Sequence, residues 1–203
     1  MEQTLSDAEK GRLPDPSEAE TVEVLTYGSI SCFMGQPILA DVDRIVTAVD
    51  WADGGLTIAA QPDTPRNLTG TLTDADESIT AGLCTFTGMD PQGRTISEVW
   101  DMTEGLTFTG TKIFASVATA VISGTAGTPE AGVDTLVVGV GNLIGTPVDL
   151  GVASEVVAAY VGNAKVTPDA VAVGESTSGI DANGATYDGS KIMWALIKPA
   201  KNV

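Results

Sequence analysis

Turn signals punctuate this sequence roughly every ten residues, and the runs between them suit short strands. "TVEVLTY", "DRIVTAV" and "LTIAA" are β-branched runs separated by "GSISCFMGQP" and "DWADGG". "RNLTGTLTD" follows, with Leu68 and Leu72 on either side of Gly70, then "SITAGLCTFTG" and "RTISEVW". Over 84–87 the alternation puts Cys84 and Phe86 on one face and Thr85 and Thr87 on the other. Between the last two runs stand Asp90 at i, Pro91 at i+1 and Gly93 at i+3, the residues of a type I turn. The segment 84–100 is therefore expected to be a half-buried hairpin of an antiparallel sheet.

The pattern continues downstream. The first half of 106–124 is compatible with a helical turn, but Val117, Val121 and Ile122 amid Thr and Ala favour a strand. Residues 135–140 supply another strand, expected to end in a Gly-rich turn. "EVVAAYV" follows, and a last strand is expected near 191–197. Together these predict an all-β fold, an antiparallel β-sandwich or barrel of many short strands. The glycines keep no fixed period, which excludes a solenoid. Residues 1–20 are polar, with Pro14 and Pro16 among acidic side chains, and predict an extended acidic N-terminal arm, a disordered tail being the alternative. That leaves 21–203 as one β-rich domain. A chain of 203 residues buries roughly 70% of its unfolded surface, so it needs neither metal nor disulfide to hold a core.

Composition excludes many chemistries. There is no histidine, which removes His triads, His metal ligands and imidazole acid–base catalysis. With only Cys32 and Cys84, no structural zinc site is expected. Both thiols are expected to stay free in a reducing cytoplasm, a Cys32–Cys84 bridge being the alternative. The formal charge of −17, from 27 acidic and 10 basic residues, repels nucleic acid and anionic membranes, so neither is an expected partner. No run approaches 18 apolar residues, and "MEQTLSDAEK" lacks the apolar core of a signal peptide.

The remaining motifs are weak. "GVGNLIG" (139–145) has its glycines one residue off the dinucleotide fingerprint, and Pro147 blocks a following helix, so a β-turn is expected there. "DADES" (74–78) groups carboxylates but misses the Gly and Glu of a calcium loop, and a solvated loop is expected. "NLT" (67–69) matches a glycosylation sequon without a secretory context. No catalytic residue, metal site or cofactor is assigned.

Two segments offer partner contacts. In "SKIMWALIKPAKNV", Ile192, Trp194 and Leu196 alternate with Met193, Ala195 and Ile197, so both faces are apolar. A central strand with lysines at its ends is expected, a subunit contact being the alternative; Lys191, Trp194, Lys198 and Lys201 are the candidates. In the arm, Leu5, Leu13, Pro14 and Pro16 are candidates to lie extended across a neighbouring subunit.

The runs "PRNLTGTLTDADESITAGLCTFTGMDPQGRTISEVW", "LTFTGTKIFASVATAVISG" and "DTLVVGVGNLIGTPVDL" resemble a β-rich segment of virion structural proteins of tailed bacteriophages. In that segment a "TAG…TGxDxxGxxxxE" hairpin precedes a "TGTKxF" turn and a "GxGxxxGxP" loop. The resemblance spans 65–150; Cys84, Phe86 and Met89 depart from the small or β-branched residues of the family pattern. It implies a non-enzymatic protein that decorates or cements the capsid at the head surface, made in the host cytoplasm. Its partners would be the major capsid protein or other virion proteins, with the chain itself a homo-oligomer, a trimer as the first expectation. Tail, neck or fibre components are the nearest alternatives, and a carbohydrate-active or lectin-like module is the third.

Overall fold

The computed structural model describes residues 29–182 and 187–198. The expected arm, with Leu5, Leu13, Pro14 and Pro16, lies outside the described residues, as do "TVEVLTY" and Lys201. The described chain is all-β, in three antiparallel sheets. In order the strands are β1 (Ile30–Gly35), β2 (Asp41–Asp50), β3 (Gly54–Gly55), β4 (Arg66–Thr73) and β5 (Ile79–Met89). Next come β6 (Thr95–Asp101), β7 (Thr107–Phe114), β8 (Ser116–Gly127) and β9 (Thr135–Gly145). The last are β10 (Val156–Val161), β11 (Ala164–Val166), β12 (Ala170–Ala172), β13 (Gly179–Asp181) and β14 (Met193–Ile197). No α-helix occurs among the described residues; Met102–Glu104 and Ala153–Glu155 form single 3₁₀ turns.

One sheet runs β3-β8-β5-β6. It contains the expected hairpin, closed by Gly93 N–H donating to Asp90 C=O at 3.0 Å. Cys84 and Phe86 point inward, as the alternation requires, and Thr85 and Thr87 are only half-buried. The facing sheet runs β12-β13-β9-β4-β7, with β2 also paired to β9. Between them lies the first core, which includes Phe86, Trp100, Leu68, Leu72, Phe108, Ile122 and Val138. Trp100 stacks on Phe108 with centroids 5.3 Å apart and planes 2° apart. A Cβ on Gly70 would come within 2.5 Å of the Trp100 ring. That contact explains the glycine between Leu68 and Leu72: the large ring from one sheet fills the gap left in the other.

A second core lies between the far end of the β9 sheet and a third sheet, β1-β14-β10-β11. β9 serves both cores. Leu136, Val138 and Val140 belong to the first and Ile144 to the second. Between the two stretches lie bulges on both edges of β4. Arg66 pairs with Ile144 and Leu68 with Val140, so β9 spends four residues where β4 spends two. Likewise Asn67 pairs with Ile113 and Thr69 with Thr109, which bulges β7. Such bulges bend and twist a strand.

Three sequence expectations change here. "GVGNLIG" is not a turn but the bulged half of β9. Gly139 is required by close approach, since a Cβ would lie 1.8 Å from Asp41 O. "TGTKIF" is likewise the bulged end of β7 rather than a turn. "LTIAA" forms no strand; it crosses between sheets, with Leu56 N–H bonded to Ala120 O and Ala59 N–H to Ile45 O, both at 2.8 Å. The two cysteines are free and sit in different cores. Burial pushes the Cys84 thiol up to about 12.

Side chains satisfy the peptide groups that the bulges release. Arg66, fully buried, donates from Nε to Gly141 O at 2.8 Å and from NH1 to Ile38 O and Asp63 Oδ1 at 3.0 Å. Asp63 Oδ2 accepts from Ile38 N–H at 2.8 Å, so the pair grips both faces of one linker residue. Asn67 donates to Gly110 O and accepts from Leu143 N–H. It is buried, so its sequon is inaccessible in the fold.

The hairpin tip is tied to the second half by Arg94. Its guanidinium contacts Asp90 at 2.6 Å, Asp149 at 2.5 Å and Glu175 at 3.4 Å. Burial raises the Asp90 carboxyl, but the hydrogen bonds from Arg94 and Ser176 and the Arg94 charge outweigh it and hold it low. The hydrogen bonds from Arg94 hold Asp149 low as well.

Two outcomes follow for stability. Arg66→Met leaves Asp63 and two buried carbonyls without their donor and is expected to cost about 3–5 kcal/mol in urea unfolding. Asp90 and Asp149 titrate lower folded than unfolded, so their contribution is complete above the unfolded Asp value, about 3.9, and is lost as pH falls through the folded values. The stability gap between wild type and Arg94→Gln is therefore expected to be widest at pH 6 and to close below about pH 4.

Candidate interaction surface

β14 is the second strand of its sheet, between β1 and β10. Met193, Ala195 and Ile197 point into the second core. The alternate residues, Trp194 and Leu196, lie on the other, outer face, where Trp194 is half-buried and Leu196 is buried. Register builds a row across that face. Phe33 of β1 pairs with Trp194, Trp194 pairs with Tyr160 of β10, and Tyr160 pairs with Lys165 of β11. The Tyr160 and Trp194 rings stack with centroids 4.0 Å apart and planes 4° apart. Phe33 ends the row 65% exposed.

Lys191 and Lys198 bracket β14, as the sequence predicts. Lys191 Nζ lies 3.3 Å from Asp188 Oδ2, both side chains largely exposed. Backbone and hydroxyl donors of Ser190, then the Lys191 N–H, hold the Asp188 carboxyl well below the usual carboxylate range. Lys198 is exposed and its N–H bonds Glu155 O at 2.8 Å. Trp194, Lys191 and Lys198 thus belong to one sheet and its rim.

The sequence reading missed Phe33 and Tyr160. Neither is unusual locally; they join Trp194 only through the pairing of strands 30–35, 156–161 and 193–197, which a local alternation does not reveal. The four strands of this sheet contain no acidic residue, and Lys165 is their only charge. Seven of the other ten strands, β3, β4, β5, β7, β8, β9 and β12, lack acidic residues as well, so it is the aromatic row that sets this face apart.

A groove of about 700 Å³ opens elsewhere, on the face of β4 turned away from the first core, with Thr69, Leu143, Ala170 and Val173 in its wall. Asp181 is the one titratable side chain among its described lining residues. Burial, then the charge of Asp169, raises its carboxyl against the pull of Arg66. A single carboxyl offers no acid–base pair.

The outer face predicts a division of roles. Trp194→Leu is expected to cost about 1 kcal/mol of stability through the lost stack. Phe33→Ser is expected to change stability by less than about 0.5 kcal/mol, because the side chain is mostly in water. Urea unfolding of both variants checks this, and a large loss for Phe33→Ser would mean that the ring is structural. No family model, curated protein or solved structure matches this chain, so its function has to be argued from these residues.

Proposed function

We propose that the chain is a non-enzymatic structural protein of a tailed-phage virion, a decoration or cement protein that binds the head surface and stabilises the shell. The outer face of the β1-β14-β10-β11 sheet is its contact with the shell. The observation that carries this reading is the aromatic row of Phe33, Trp194 and Tyr160 on strands without an acidic residue. Aromatic residues are enriched, and charges depleted, at the centres of protein interfaces. The lysines at the rim suit an acidic neighbour and would steer its approach. The resemblance over 65–150 supports the virion assignment; those residues build the first sandwich and β9, which carry the third sheet.

Decoration is mechanical work. Each copy needs an interface of about 1,600 Å², the scale of a specific contact. Repetition over a lattice then adds avidity without new chemistry. A tail, neck or fibre position would use the same face against a different partner. The stacked rings also favour a carbohydrate-binding module, since flat aromatic faces accept sugar rings.

Sedimentation of the purified chain with undecorated heads, and electron microscopy of virions, separates these readings. Saturable binding to heads is expected, weakened at least about ten-fold, or 1.4 kcal/mol, in the double variant Phe33→Ser with Lys198→Glu. Density confined to the tail would move the assignment there. Binding to host polysaccharide but not to heads would replace it with the carbohydrate reading.

A further inference from the structure

The β4–β5 and β8–β9 loops both cross between the two sheets of the first sandwich. They bring Asp74 and Asp76 to Asp134, 58 residues further on from Asp76, with one oxygen of each carboxylate within 4.8 Å of the others. Asp134 is 0% exposed. Its Oδ2 accepts from Ser78 Oγ at 3.0 Å and from Glu130 N–H at 2.7 Å. Its Oδ1 is also buried and has no hydrogen-bond partner. A buried carboxylate oxygen left unpaired is costly and calls for a donor or a cation.

The protein supplies no such group from its described side chains. Among the described residues, no ion pair reaches Asp74, Asp76 or Asp134. Elsewhere three carboxylates, Asp90, Asp149 and Glu175, are gathered around the guanidinium of Arg94. Here the same number of carboxylates converge without an arginine.

We infer that Asp74, Asp76 and Asp134 bind a calcium ion, with the buried Asp134 carboxylate as its inner ligand. An all-oxygen, carboxylate-rich set selects a hard divalent cation. Calcium–oxygen distances of about 2.3–2.6 Å place oxygens on opposite sides of the ion about 5 Å apart, and these three oxygens, all within 4.8 Å of one another, fit inside that sphere. Magnesium asks for a tighter octahedron, at about 2.0–2.1 Å, than two loops of unequal shape provide. The ion joins the two crossing loops and so clamps the sheets at that end of the sandwich. This site is independent of the head-surface reading.

The test uses the full chain, stripped with EDTA and desalted, then titrated with calcium chloride by calorimetry. One ion per chain is expected. Tm is expected to rise by about 5–10 °C at free calcium one hundred times Kd. Terbium is a second probe. Trp51 N–H bonds Asp134 O at 2.9 Å, so excitation of this tryptophan should sensitise terbium emission, and calcium should quench it by competition. Asp76→Asn is the main variant, because Asp76 is exposed and its change should leave Tm in EDTA unaltered. Its calcium affinity is expected to fall at least roughly ten-fold, the loss that even a residue behind the ligands brings. Asp134→Asn, where it folds, should abolish binding. Three results would overturn the site: no saturable binding below about 5 mM calcium, binding unchanged in Asp76→Asn, or magnesium bound as tightly as calcium.

Discussion

A strand that bulges gives up ladder partners for the residues it loops out, and their peptide groups must be satisfied elsewhere. Around β4 this happens on both edges at nearly the same level. Arg66 answers on the β9 side at Gly141, and Asn67 reaches both sides, to Leu143 N–H and Gly110 O. Glu98 completes the β7 side, accepting from Thr111 N–H at 2.6 Å and Lys112 N–H at 3.2 Å. Three polar side chains therefore replace a stretch of ladder. A buried arginine is an expensive substitute: Gly141, Ile38 and Asp63 hold its Nε and NH1 and the Tyr187 ring lies 5.9 Å from the guanidinium carbon, while NH2 is buried without a hydrogen-bond partner among the described residues.

The rest of the architecture depends on that bend. A straight β9 would present all its inward residues to one core. Bulged at 141–143, it turns Ile144 toward a second core, where β1, β10 and β14 can close over it. Pairing β1 with β14 joins the beginning and end of the described chain in one sheet. That sheet packs one face on the second core; on the other, Leu196 and Ala158 are buried while Phe33 stands exposed, and register decides what stands there. Phe33, Trp194 and Tyr160 share a row because β14 pairs with both neighbours in matching register at that level. Moving either neighbour by one residue would send its aromatic side chain inward.

The sequence made the local features legible and left the long-range ones hidden. The hairpin at 84–100 could be read because alternation and a type I turn are encoded within a few residues. The central strand near 191–197 could be read because both its faces are apolar. The glycines of 139–145 and 109–112 misled, since a glycine admitting a neighbouring strand looks the same as one making a turn. Gly139 differs only in that Asp41 O lies where its Cβ would be, a contact across nearly a hundred residues of chain. "LTIAA" had the composition of a strand, but its N–H groups are divided between two sheets and no ladder forms. The acidic run at 74–78 is half-buried to exposed, as its composition suggests, and its part in a cluster was hidden because Asp134 arrives from another loop.

Charge placement gives the architecture its final asymmetry. With 10 basic residues against 27 acidic ones, each cation matters for where it sits. Arg66 is buried at the bend, and Arg94 is occupied by three carboxylates at the hairpin tip. Lys165, Lys191 and Lys198 instead stand on one sheet or at the ends of its central strand. An exposed pair such as Lys191 with Asp188 contributes little to stability, so the fold does not depend on the placement of Lys191. Its effect is on the field. Two copies of so acidic a chain repel over most of their surfaces, and an acidic partner is repelled in the same way. Close approach costs least where strands without carboxylates, rimmed by lysines, present flat aromatic area. The face that carries the aromatic row is thus also one on which association can bury apolar surface with little electrostatic opposition.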